Sequence, residues 1–168
     1  MEVKLLVTDE QLKVLKLMSE VTGTMDMNDF AKKLCLTTSQ ALEKFQELVK
    51  AGFMKKTAAG FSMTEKGKLV LKAAAQVPAG SEFSFYLTLD QPTGMSAASL
   101  KDFHELVKRV DAASLEFHLD RGDFENWVRS TVNDAAFADE LVCLKARGRR
   151  GGDLRQEIVK ALEARYSL

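Results

Sequence analysis

Leu12, Leu15, Met18 and Val21 return at the spacing of one helix face, and Thr8-Asp9-Glu10-Gln11 ahead of them has the hydroxyl and later glutamine of a capping box. A first helix is predicted from here, with Gly23 as its stop. Met27 to Cys35 predicts a second, short helix that buries Phe30, Ala31 and Leu34 and turns Lys32 and Lys33 outward. The turn Leu36-Thr37-Thr38 ends it and offers a cap to a third helix running to Lys50. In that helix Ala41, Leu42, Phe45, Leu48 and Val49 form one apolar stripe, which leaves Thr38, Ser39, Gln40, Glu43, Lys44, Glu47 and Lys50 facing away from the core. Gly52 stops it. Phe53 to Met63 then reads as two short strands around an Ala58-Ala59-Gly60 tip, and Thr64-Glu65-Lys66-Gly67-Lys68 caps a fourth helix that returns Leu69, Val70 and Ala73 to the core.

After residue 75 the pattern changes. Residues 76–82, with a proline and little to bury, read as a linker between a domain at 1–75 and another at 83–168. Phe83 to Leu89 alternates imperfectly and predicts one strand or extended arm, broken by Gln91-Pro92-Thr93-Gly94. The remainder is helical. Leu100, Phe103, Val107 and Val110 make one stripe; Leu115, Phe117 and Leu119 mark a second element; Phe124, Trp127, Val128 and Val132 make a third, with Asp123 as its cap. Asn133-Asp134 starts a helix carrying Phe137, Leu141 and Leu144, and Asp153-Leu154-Arg155-Gln156 is a capping box for a last helix burying Leu154, Ile158, Ala161 and Leu162. The expected fold is mainly α with a small β component, a small helical bundle forming the second half.

Charge divides the chain in the same place. Residues 1–80 carry a net charge of +3 and no arginine, whereas 81–168 carry −3 and all eight arginines, as two modules with different surfaces would. A +3 balance is a weak footprint for nucleic acid, whose affinity scales with the number of phosphates neutralised. No run approaches the ~20 apolar residues of a spanning helix, and Met1-Glu2-Val3-Lys4 lacks the pattern of a secretion signal, so a cytoplasmic location is expected. Cys35 and Cys143 have no CxxC companion and are expected to be buried, reduced thiols.

The stretch "LVKAGFMKK…GFSMTEKGKLVL" within residues 8 to 75 resembles winged helix-turn-helix transcription regulators of the MarR-like and ArsR-like kind. That resemblance implies a third helix set in the major groove, a wing on the adjacent DNA backbone, and a symmetric dimer. Thr38, Ser39, Gln40, Lys44 and Lys50 on the helix and Lys55 and Lys56 in the wing are then the candidate DNA-binding residues. This sequence departs from many such regulators in having no arginine at the wing tip, and Glu43 and Glu47 would repel phosphate. An interaction module that binds proteins through the same surfaces is therefore the alternative.

Ser99 to Leu141 is similar to an archaeal domain of unknown function, through Ser114, Leu115, His118, Asp123, Phe124, Trp127, Asp134 and Leu141. It suggests an archaeal source and carries no activity over. The one titratable cluster with imaginable chemistry is His104, Glu116, His118, Asp120, Arg121 and Asp123, but its spacing matches no HExxH, CxxC or facial-triad arrangement. His118, between Phe117 and Leu119, is expected to make a structural hydrogen bond between helices. Arg147-Gly148-Arg149-Arg150-Gly151-Gly152 reads as a solvated loop that could also touch phosphates. Phosphate-loop, dinucleotide and nucleophile-elbow motifs are missing, so no enzyme, metal or cofactor is expected. The expectation is a transcriptional regulator that binds double-stranded DNA as a homodimer and dimerises or senses through its second half.

Overall fold

The structure, a computed structural model, describes residues 7–21 and 26–168. Met1 to Lys4 and Gly23, on which two expectations fell, lie outside them. The described residues are mainly α-helical with a small β component, and the chain divides between Leu71 and Lys72 into two compact units.

The first unit holds α1 (Asp9–Glu20), α2 (Met27–Lys33), α3 (Thr38–Lys50), β1 (Met54–Thr57), β2 (Gly60–Met63) and the start of α4 (Glu65–Ala74). The expected capping box opens α1: the Gln11 N–H donates to Thr8 Oγ1 at 3.2 Å and the Thr8 N–H donates to Gln11 Oε1 at 3.1 Å. Val14, Leu15, Phe30, Phe45, Leu48, Phe53, Met54 and Val70 make one core. Within it the Phe45 ring stands 4.9 Å from both Phe30 and Phe61, which ties α3 to α2 and to the hairpin. Met54 pairs with Met63 and Thr57 with Gly60, so the turn falls on Ala58 and Ala59. Thr64 caps α4 by accepting the Gly67 N–H at 3.2 Å, while its own hydroxyl donates to the Gly52 carbonyl at 2.6 Å. Gly67 is required by packing, because a Cβ there would collide with the Phe53 carbonyl.

Two expectations in this unit change. Leu42 does not join the α3 stripe and is 40 % exposed. The core takes the narrower row Ala41, Phe45 and Leu48, spaced four and three apart, and leaves Val49 half-buried at its edge. Cys35 is exposed just past α2, in the left-handed region at φ 57°, and Cys143 is exposed as well; neither is a buried thiol.

The second unit holds β3 (Phe83–Thr88), β4 (Gln91–Ala97), α5 (Leu100–Val107), α6 (Ala112–Arg121), α7 (Asp123–Trp127), a π-helical turn at Val128–Val132, α8 (Ala135–Ala146) and α9 (Gly151–Tyr166). The expected single strand or arm is a hairpin, since the stretch containing Pro92 and Gly94 returns as β4. Pro92 stands opposite Tyr86 and has no N–H to give, and the pairing shifts register on both sides of Tyr86. Phe83, Phe85, Phe103, Phe124 and Trp127 pack ring to ring, with centroids 5.0 to 6.2 Å apart. The expected linker is tied to the rest of this unit at two points: the Val77 N–H donates to the Ala98 carbonyl at 2.7 Å and Trp127 Nε1–H to the Ser81 carbonyl at 2.8 Å. The last helix starts at Gly151, so Asp153 lies inside its first turn and is not its cap; the Gly151 N–H donates instead to Glu116 Oε1 at 2.8 Å.

Candidate nucleic-acid interface

Of the seven residues expected to meet DNA, the structure gives three other work. Thr37 and Gln40 form a second capping box: the Gln40 N–H donates to Thr37 Oγ1 at 3.2 Å, and Gln40 Oε1 accepts the Thr37 N–H at 2.9 Å. A glutamine reads adenine with its oxygen and its amide together, and here the oxygen is taken. The Thr38 hydroxyl donates to Asn28 Oδ1 at 2.6 Å, joining α3 to α2. Lys44 lies 3.3 Å from Glu10 and 3.5 Å from Glu47. The hydrogen bond to Glu10 and then the charge of Glu47 hold its ammonium above the usual lysine range.

The other four are differently placed. Ser39, Lys50, Lys55 and Lys56 are exposed, and among the described residues their side chains make no hydrogen bond or ion pair. Counting outward from the buried Ala41, Phe45 and Leu48, the opposite face of α3 is the row Ser39, Glu43, Gln46 and Lys50. Gln46 was not singled out from the sequence, although the spacing of those three core residues contains that signal.

The titratable cluster of the second unit resolves into structural bonds. His118 is 4 % exposed, its Nε2 accepts the Tyr86 N–H at 2.8 Å, and its Nδ1 lies 2.8 Å from Asp123 Oδ2. Nε2 therefore bears a lone pair and Nδ1 carries the proton that goes to Asp123, which makes the imidazole neutral. The Tyr86 N–H, opposite Pro92 in the hairpin, thus donates to the imidazole. It links β3 to α6 and, through Asp123, to α7, so the helix-to-helix bond expected of His118 also reaches the hairpin. Burial lowers its pKa, against the opposing pull of Asp123. Asp123 is not a cap; Gly122, at φ 77°, ends α6 in the left-handed conformation and precedes α7. With both ring nitrogens engaged, His118 has no lone pair for a metal or a substrate proton.

His104 is also buried, between Glu163 at 3.2 Å and Glu105 at 3.3 Å, and burial followed by Lys108 lowers its pKa. Arg147 and Arg149 pair with Glu157 at 3.7 and 3.6 Å, and Arg150 with Asp120 at 2.8 Å. The glycine-flanked arginines are thus held against their own unit. Among the described residues no three His, Cys, Asp or Glu side chains converge on a metal position, and no helix is long and apolar enough to cross a membrane.

The strongest polar site in the second unit was unforeseen. Buried Asp134 accepts two hydrogen bonds from Arg165, at 2.7 and 2.9 Å, one from the Tyr166 hydroxyl at 2.7 Å and one from the Phe137 N–H at 3.1 Å. Burial by itself raises its pKa, but these donors outweigh it and hold the carboxyl below its usual range. The sequence marks Asp134 as a helix cap; nothing local connects it to residues 31 and 32 positions away.

No family model matches this chain, and no curated protein or solved structure is significantly similar to it.

Proposed function

We propose that the first unit binds double-stranded DNA and that the chain is a non-enzymatic transcriptional regulator, acting in the cytoplasm as a homodimer with its second unit as the dimerising or sensing part. What supports this reading is that Lys50, Lys55 and Lys56 follow the outward face of α3 in sequence, are exposed, and have no carboxylate partner among the described residues. Lysines without an internal partner are free to displace counterions from phosphate. The order of three helices, a hairpin and a fourth helix is also the one a winged helix-turn-helix would have. Only part of the expected reading surface remains available in this reading: Ser39 and Lys50 keep their roles, while Gln40 and Lys44 would first have to leave their internal partners.

The test is the salt dependence of binding to duplex DNA. Each of Lys50→Ala, Lys55→Ala and Lys56→Ala that removes a phosphate contact flattens the slope of log affinity against log salt by about one unit. Neighbouring strand residues point to opposite faces, so Lys55 and Lys56 are not expected to contribute equally. Unchanged slopes in all three variants remove this surface from the DNA.

One observation favours a second reading, a protein-interaction module. Leu42 is 40 % exposed on α3, between the buried row and the outward one, where an apolar side chain open to solvent suits a protein partner.

A further inference from the structure

We infer that Glu43 and Gln46 are the base-reading residues of α3, Glu43 for cytosine and Gln46 for adenine; this rests on the DNA-binding reading above. Both lie on the outward row opposite Ala41, Phe45 and Leu48, and both are exposed. Among the described residues neither side chain has a hydrogen bond or an ion pair, whereas Gln40, Lys44 and Glu47 are all engaged. Gln46 therefore presents amide donor and carbonyl acceptor together, as bidentate pairing with adenine N6 and N7 requires. Gln40 presents only half of that.

Glu43 is the position that decides the chemistry. A carboxylate in the middle of a groove-facing row is repelled by the phosphates on both sides and cannot serve as an anchor. The base-edge group that matches its acceptor-only chemistry is an exocyclic amino group, above all cytosine N4–H₂ in the major groove. Such a residue lowers affinity for every sequence and lowers it least where cytosine is present. Glu43 and Gln46 are three residues apart, about 4.5 Å along a helix axis, which is comparable with the roughly 3.4 Å between successive bases on a strand. Their targets are neighbouring base pairs.

The experiment is selection of duplexes from a random pool by the full chain, followed by the same selection with Glu43→Gln and Gln46→Ala. Wild type is expected to enrich a site with cytosine at one position and adenine next to it. Glu43→Gln is expected to lose the cytosine preference by roughly fivefold or more, the lower end of a single base contact, and at the same time to bind unrelated duplex more tightly. Gln46→Ala is expected to lose the adenine preference and leave the cytosine. Unaltered preferences in both variants, or an affinity for unrelated duplex that Glu43→Gln does not raise, overturn the assignment while leaving DNA binding standing. Wild type that retains duplex without any base preference overturns the assignment alone, and wild type that retains no duplex at low salt overturns the DNA-binding reading itself, and the assignment with it.

Discussion

Asp134→Ala is expected to cost the second unit about 3 kcal/mol, because it strips a buried carboxylate from Arg165 and from the Tyr166 hydroxyl and leaves both donors unpaired. Breaking a buried pair by removing one partner is worth about 3 to 5 kcal/mol, and the lower end applies because the Arg165 side chain is 26 % exposed and can turn toward water. The same substitution removes the side-chain cap of α8. The loss is read from chemical denaturation followed by Trp127 fluorescence, since the single tryptophan of the chain lies in the second unit. Asp134→Asn, which keeps a cap oxygen and loses the charge, is expected to fall between the variant and wild type. A midpoint for Asp134→Ala within about 0.5 kcal/mol of wild type, the range of an ordinary surface substitution, would contradict this account.

His118→Ala is expected to destabilise the same unit by about 1 to 3 kcal/mol, because the Tyr86 N–H and Asp123 both lose their buried partner. Chelators and added zinc are expected to leave wild type and variant equally unmoved, as both ring nitrogens already have partners. The role of His118 also carries a pH signature. Its folded pKa lies below that of an unfolded histidine, so the unfolded chain takes up the proton first. The stabilisation is complete above about pH 6.5, the unfolded value, and is lost as pH falls from there through the folded pKa. His104 shifts in the same direction, so its variant provides the control: His118→Ala should remove part of the acid sensitivity and His104→Ala another part. A melting transition that responds to zinc in wild type and not in His118→Ala would refute the structural role.

The elements that were legible in the sequence are those coded by near neighbours. Thr8 and Gln11, three positions apart, announce α1, and the periodicity of Phe30 and Ala31, of Ala41, Phe45 and Leu48, and of Leu154, Ile158 and Leu162 gives helices that bury those residues. The Thr37–Gln40 box has the same form, but a glutamine suits both capping and base reading, so the sequence by itself does not reveal that Gln40 Oε1 accepts the Thr37 N–H. The second strand of the β3–β4 hairpin was hidden by Pro92 and Gly94, which read as breakers. In a two-stranded sheet every strand is an edge, where a proline is tolerated, and here the Tyr86 N–H opposite Pro92 donates to His118. The Asp134–Arg165–Tyr166 network had no local signal at all, and the exposure of Leu42 and Cys143 depended on which neighbours the fold brought to each helix.

The central claim, that the first unit is held on DNA by phosphate contacts, is tested most directly by titrating salt against binding of the full chain to duplex DNA. If Lys50 and one or both of Lys55 and Lys56 neutralise a phosphate each, log affinity falls with log salt with a slope of about −1.8 to −2.7 per protomer, at roughly 0.9 per phosphate. No measurable binding at low salt, or a slope near zero, would contradict it.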